Sequence, residues 1–484
     1  MSKRNVLSNL IWRFLERIGA QAVTLVVTII LGNILDPKLF GEIEIVTVLI
    51  TILQVFVDSG LGNALIQKKN TDELDYSTVF YFNIISCGIL YIVLFFMAHP
   101  IAFFYRMPEL ESVIKVLGLI VVISGVKNIQ QAYVSRNMLF KKFFFSTLAG
   151  TIIAAIVGII MALKGFGVWA LVFQHLINTT IDTLILWITV KWRPKRCFSW
   201  ERFKGLFSYG WKMLISQLIT VSYNNIRQLI IGKKYDADSL AFYNKGDKIP
   251  GLLVNNIHTA IDSVLFPSMS LVQDSALTVK RLTKRAITTS SYILMPLMTI
   301  LAICSENLIK LLLPDTWLPC VPFLRIFCLI YAFYPLHSAN LSAIRAMGKS
   351  EIYLKLEIIK DVIGIIFIIF TFRISVLAMA LGYLVTSLIA TVINSWPNKK
   401  LINYGYFEQI KDLLPSMILS CISGTIIYFI NYLPIWNFAK IMMQGVIGIS
   451  IYILLSRILK LETFYYVIES IKSLIMKTKE NKND

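Results

Sequence analysis

The chain has 484 residues, of which 56% are hydrophobic and only 15% are charged, and its mean hydropathy is +0.69. Soluble domains carry about a quarter charged residues, so this composition excludes a water-soluble globular protein, and the length exceeds what one soluble-type core organises. The net charge of +19 reflects 47 Lys and Arg against 28 Asp and Glu. The basic residues fall between apolar runs, so membrane topology and anionic headgroups account for them better than nucleic acid does.

In chain order, apolar segments recur at 10–32, 41–63, 78–104, 113–134, 143–163, 166–190, 207–232, 239–270, 286–313, 321–346, 352–372, 374–396, 413–432 and 437–459. Each is near the length a bilayer requires, which predicts an all-α polytopic membrane protein with about fourteen transmembrane helices. Met1-Ser2-Lys3-Arg4 precedes the first run without a small-residue cleavage site behind it, so it reads as an uncleaved first span. The six cysteines form no CxxC pair and lie mostly in apolar runs, as packing residues do.

The first span carries a polar stripe. Arg13, Arg17, Gln21, Thr24 and Thr28 recur every three or four residues, along one helical face. Ionisable groups at membrane depth usually face a bundle interior or a wet cavity, although Arg13 and Arg17 are also near enough to a helix end to snorkel. A second stripe, Lys212, Ser216, Thr220, Tyr223 and Arg227, follows about two hundred residues later. The flanks echo as well: Ile30 to Asp36 matches Ile230 to Asp236, and Val57-Asp58-Ser59 matches Ile261-Asp262-Ser263. An internal duplication explains the shared order, and two halves with striped first helices point to a transporter around a hydrophilic cavity.

The expected organisation is an N-lobe at 1–190, a basic loop at 191–206, a C-lobe at 207–400, two additional spans within 401–459, and a charged tail at 460–484. The loops after the even-numbered spans, with the termini, hold roughly 29 basic residues against roughly 7 opposite, which places both termini in the cytosol.

Asp58 near the end of the second span suits a proton or cation, or a pair with Arg17 or Lys127; a structural ion pair or helix cap is the plainer alternative. The eighth span is interrupted by Tyr243-Asn244-Lys245-Gly246-Asp247-Lys248-Ile249-Pro250-Gly251, followed by Asn255, Asn256, His258 and Asp262. Pro and Gly there predict broken backbone bonds satisfied by protein or water, with the outer headgroup zone as the alternative place for Lys245 to Lys248. Lys127, Asn128, Gln174, His175, Asn178 and Asp182 add polar positions in the fourth and sixth spans. Asp236-Ala237-Asp238 matches the DxD of sugar transferases but falls on the outer side and reads as a loop turn. HExxH, Walker and G-x-S-x-G motifs are absent, and four scattered histidines argue against a metal cluster. An enzyme, a metal and a cofactor are therefore not expected.

The runs Gln54 to Lys69, Asp75 to Phe80, Gly165 to Val172, Tyr223 to Ile226, Trp317-Leu318-Pro319 and Tyr334 to His337 resemble the bacterial polysaccharide flippases of the MOP exporter superfamily, over roughly residues 5–405. The resemblance implies two six-helix lobes in a V shape with two extra C-terminal helices. It implies movement of an undecaprenyl-diphosphate-linked oligosaccharide across the bacterial cytoplasmic membrane, for O-antigen, capsule or exopolysaccharide. On that reading Arg13, Arg17, Lys127, Lys212 and Arg227 meet the diphosphate, and Gln21, Gln54, Tyr223, Asn224, Asn225 and Asn255 meet sugar. Asp58, Asp247 and Asp262 are the candidate carboxylates for coupling to Na+ or H+. Implied partners are membrane lipid, a polysaccharide polymerase and a chain-length regulator. Two other readings stand beside it: a drug or cation antiporter of the same fold, which suits a drier and more acidic pocket, and a membrane polymerase or sugar transferase, which needs a catalytic loop longer than any here.

Overall fold

The computed structural model describes residues 3–58, 61–68, 71–469 and 472, and every regular element among them is a helix. In lipid each backbone N–H and C=O must find its partner within the protein, and a helix meets that need within one segment. The chain divides into two compact units, the division falling between Ala241 and Phe242.

The first unit holds α1 (Lys3–Ile34), α2 (Pro37–Asp58), the short α3 (Leu61–Gln67), α4 (Glu73–Tyr105), α5 (Glu109–Leu117), α6 (Leu119–Arg136), α7 (Phe140–Leu163), α8 (Val168–Thr189) and α9 (Trp200–Lys234). Thus α9, expected in the C-lobe, clusters with the first unit, where it packs on α2, α3 and α4. The division falls five residues into α10 (Ala237–Ser270); then come α11 (Ala276–Leu312), α12 (Val321–Ala332), α13 (Tyr334–Ala346), α14 (Ser350–Thr371), α15 (Val376–Leu401), α16 (Tyr406–Tyr428) and α17 (Asn437–Ile458). Every segment read as a span is one helix or a broken pair. The eighth span is one continuous helix, α10, through Pro250 and Gly251, although Pro250 has no N–H to offer the carbonyl one turn back. Neighbouring turns accommodate a proline in a long helix when the freed carbonyl finds another partner.

Among the described residues, eleven helices are long and apolar enough to cross a membrane. The long helices α9, α10 and α14 fall outside that set. Polar residues explain this: α14 alone carries Glu351, Lys355, Glu357, Lys360 and Asp361.

Local structure repeats where the sequence does. The α1–α2 turn separates Ile34 from Pro37, and the α9–α10 turn separates Lys234 from Ala237. Asp236, the start of the DxD, caps α10 by accepting from the Ser239 amide at 2.6 Å, so it is a turn residue. Later, the α6–α7 turn holds Met138 at φ 52° and the α13–α14 turn holds Gly348 at φ 71°. Glycine adopts this left-handed backbone freely, whereas Met138 does so against its Cβ.

In the first unit α7 lies along α8 on a line of small residues, Ser146, Gly150, Ala154, Gly158 and Ala162. Their four-residue spacing keeps them on one face and lets the backbones approach closely. A Cβ added at Gly150 would meet the Asn178 carbonyl at 2.9 Å, and one at Gly158 would meet Gln174 Cβ at 3.1 Å.

The expected loop at 191–206 is a docked strap that runs into the first turn of α9. Trp192 is buried among Tyr76, Phe80 and their neighbours, and Phe203 and Leu206 join the same core. The Lys195 and Ser199 amides donate to Ser77 and Thr78 at 3.0 and 3.1 Å. Lys195 pairs with Glu73, and Arg202 reaches Asp72 at 3.4 Å. Asp72 and Asp75 cap α4 reciprocally, and buried Asp75 is bridged by Lys68 at 2.7 Å. The hydrogen bond from the Asp75 amide, helped by Arg202, holds the Asp72 carboxyl below the usual range. Hydrogen bonding and charge from Glu73 raise the Lys195 ammonium above its usual range.

In the second unit α11 packs against α12, α13, α16 and α17. Its polar core is an amide knot: Asn340 Oδ1 accepts from Asn398 at 2.6 Å and Gln409 at 2.9 Å, while its amide donates to Gln409 Oε1 at 2.7 Å. The knot ties α16 to α13 and α15. Four of the six cysteines are buried, and all six are free thiols.

Replacing Gly150 with leucine should lower the melting temperature in detergent by several degrees, since overpacking of this kind costs about 1–3 kcal/mol; an unchanged melting curve would show that the α7–α8 seam yields. The strap makes a second prediction. Asp72 has a depressed folded pKa, so its contribution is complete above the ordinary carboxylate range and is lost as pH falls through the depressed value. Lys195 has a raised one, so its contribution is complete below the ordinary lysine range and is lost as pH rises through the raised value. At neutral pH both are in force. Combining Asp72→Asn with Lys195→Gln should then speed thiol labelling of Cys197 severalfold in a Cys421→Ser background; an unaltered rate would mean these charges do not hold the strap.

Candidate functional site

One set of polar groups in the first unit links α2, α4, α6 and α8. Asp58 at the end of α2 accepts from Asn128 Nδ2 of α6 at 2.9 Å, and Asn128 Oδ1 accepts from Asn83 of α4 at 3.3 Å. Gly62 makes room, since a Cβ there would lie 3.2 Å from Asn128 Oδ1. The residue before Asn128, Lys127, pairs with Asp182 of α8 at 2.6 Å, with 17% and 10% of the two side chains exposed. Lys127 therefore already has a counter-charge, which an anionic ligand would have to displace. Asp58, read from the sequence as a proton or cation site, a partner of Arg17 or Lys127, or a structural cap, accepts from the Asn128 amide with the Lys127 charge nearby.

The other polar groups lie on the two striped helices, α1 packed against α7 and α9 against α2, α3 and α4. On α1, Trp12 packs edge-on to Phe144 at 5.2 Å, and Glu16 accepts weakly from Thr147 of α7 at 3.4 Å. Arg17 and Thr24 turn to an exposed face about 100° round the helix, with Gln21 half-buried between them. The Arg13 side chain lies outside the described residues. On α9, Lys212, Ser216, Thr220 and Asn224 are exposed, and the Asn225 amide is spent on the Val221 carbonyl at 2.8 Å. Arg227 is buried, its guanidinium 5.5 Å from the Tyr223 ring centroid and reaching the Tyr223 hydroxyl at 3.5 Å. Gln54 on α2 is half-buried.

In the second unit part of the eighth span is packed against protein. Lys245 is 9% exposed, with its ammonium 4.5 Å from the Trp317 centroid, and Asp247 accepts from the Tyr331 hydroxyl at 2.8 Å. A Cβ on Gly246 would strike Phe323 and Leu324, so the glycine permits that approach. Among the described residues, neither amide atom of buried Asn244 has a hydrogen-bond partner. Lys248 and Asn255 are exposed. The Asp262 side chain lies outside the described residues. His337 is held by Ser387 at 3.3 Å and Asn394 at 3.1 Å. Among the described residues no group of three or more His, Cys, Asp or Glu side chains forms a metal site.

Reading residues singly missed three partners. The sequence marks Asp182 only as a polar position, and it singles out neither Asn83 nor Tyr331. Asn83 follows Asp75 to Phe80 by one turn, so an amide in mid-span was the available signal.

The helices make this a multi-pass membrane protein, and its fold is shared with solved transporters of the MOP superfamily. A family model described as "Polysaccharide biosynthesis protein" matches residues 30–322, and the chain belongs to that family. It is 24% identical over 435 residues to an uncharacterized membrane protein in the cps region of Klebsiella pneumoniae, covering 87% of this chain and 86% of that one. It is 20% identical over 421 residues to the lipopolysaccharide biosynthesis protein WzxC of Escherichia coli K12, covering 86% and 82%. Among solved structures, the lipid II flippase MurJ in an inward closed conformation superposes with a TM-score of 0.75 at 16% identity, covering 95% of this chain and 99% of that chain.

Breaking the Lys127–Asp182 pair from one side should cost about 3 kcal/mol, because a buried charge is left alone. Lys127→Ala should accordingly melt well below the double variant Lys127→Met with Asp182→Leu. Equal melting of the two would show that the pair is solvated.

Proposed function

We propose that the chain is a flippase that carries an undecaprenyl-diphosphate-linked oligosaccharide across the bacterial cytoplasmic membrane, for O-antigen, capsule or exopolysaccharide assembly. It acts as a transporter, not an enzyme. It spans the membrane fourteen times, as two six-helix lobes and two further helices, with both termini in the cytosol.

The observation that carries the reading is the cationic and amide stripe on α1 and α9, set in a fold shared with a lipid flippase. A diphosphate needs charge-assisted hydrogen bonds, and guanidinium and ammonium groups supply them. Arg13 and Arg17 capture the headgroup, Lys212 and Arg227 receive it on the second stripe, and Lys127 exchanges Asp182 for phosphate. Gln21, Gln54, Tyr223, Asn224, Asn225 and Asn255 bond sugar hydroxyls, while the prenyl tail stays in lipid. Rocking of the lobes exposes the site to each side in turn, driven by Na+ or H+ at Asp58, Asp247 or Asp262. A drug antiporter of the same fold fits less well, because the stripes are net basic and favour an anion. The polymerase and chain-length regulator act on the delivered unit.

Vesicles containing the purified protein and a fluorescent lipid-linked oligosaccharide test this by leaflet exchange. Arg17→Ala and Lys212→Ala should each slow exchange on the order of tenfold without lowering protein level, the loss of one hydrogen bond to a charged group. Wild-type exchange in both variants would remove the stripes from the site, and exchange no faster than in protein-free vesicles would end the flippase reading.

A further inference from the structure

The first unit also holds an apolar groove of about 710 Å³ between α2, α4 and α9. It is distinct from the polar stripes, although one helix serves both. On α9 the groove takes Lys204, Phe207, Ser208, Trp211 and Ile215, whereas the stripe begins at Lys212, about 100° round the helix from Trp211. Phe207, Trp211, Ile215 and Ile89 leave large apolar surfaces exposed along it.

Two features specify what fits there. The first is length. The helices α4 and α9 run side by side in the same direction, with Phe82 4.5 Å from Phe203 at one end and Lys233 on the Phe104 carbonyl near the other. The groove takes in Phe82 to Leu90 on α4 and Lys204 to Ile215 on α9. At 1.5 Å per residue that is about 12–16 Å, the depth of one leaflet of a hydrocarbon core about 30 Å thick. The second feature is charge. The end beside the docked strap carries Lys204, which is exposed and makes no ion pair among the described residues. The neighbouring strap cations Lys195 and Arg202 are already paired with Glu73 and Asp72. An apolar slot one leaflet deep with a free ammonium at its mouth matches an acyl chain below a phosphate.

We propose that this groove binds an anionic phospholipid of the leaflet facing the strap, its phosphate on Lys204 and an acyl chain along Phe207, Trp211 and Ile215. The bound lipid seals α9 against α2 and α4. A polyprenyl chain many isoprene units long would overrun a slot of one-leaflet depth. The proposal does not depend on the transport reading, and its test measures no transport.

The test is native mass spectrometry of the full-length purified protein with phosphatidylglycerol or phosphatidylcholine of identical acyl chains. The wild-type protein should retain phosphatidylglycerol about fivefold more than phosphatidylcholine, the factor one lysine contributes near an anionic surface. Lys204→Gln should abolish that preference while leaving apolar retention. Ser208→Trp, which fills the mouth, should lower retention of both lipids; far-ultraviolet circular dichroism matching wild type would show that each variant is folded. Equal retention of the two lipids by wild type, or a preference unchanged in folded Lys204→Gln, would overturn the proposal. So would displacement of phosphatidylglycerol by equimolar undecaprenyl phosphate, which would assign the groove to a prenyl chain.

Discussion

Every part of this structure answers to one constraint: in hydrocarbon a polar group has no water to fall back on. The backbone meets the constraint by being helical throughout its spans. Side chains meet it by finding each other, as Asp58, Asn128 and Asn83 do across α2, α6 and α4, and as Lys127 does with Asp182. The Asn340 knot, with Gln409 and Asn398, does the same in the second unit. Each link joins different helices, so satisfying a polar group and fixing a helix position are one event.

The same constraint removes the usual reason for helices to associate. Lipid tails are as apolar as leucine, so helix faces gain little by leaving them, and close van der Waals contact must take over. Small residues provide it along α7, where Gly150 and Gly158 admit α8 to distances a side chain would block. Gly246 does so between α10 and α12. Polar pairs then set the register that small residues alone leave free.

Helix α9 shows how one element answers to two environments. Its polar stripe avoids lipid, its aromatic face accepts it, and the two lie a quarter-turn apart. Its first turn continues a strap pinned to α4 by Ser77, Thr78 and a set of ion pairs. The start of the helix is therefore held by the first unit, and any movement of α9 must bend beyond the strap.

The sequence by itself determined the class and the helical character of the apolar runs. Hydrophobic length is a local property, and an apolar run of about 20 residues satisfies its own backbone in lipid as a helix. The echo between Ile30–Asp36 and Ile230–Asp236 likewise survives as two turns of the same spacing. Partnership was decided only by the tertiary structure. That Lys127 meets Asp182, that Asp58 meets an amide, that Lys245 lies on Trp317 and that Asp247 meets Tyr331 all depend on residues between 55 and 84 positions apart. Periodicity places a side chain on a face of its own helix, but it holds no information about which other helix lies opposite. Only packing supplies that.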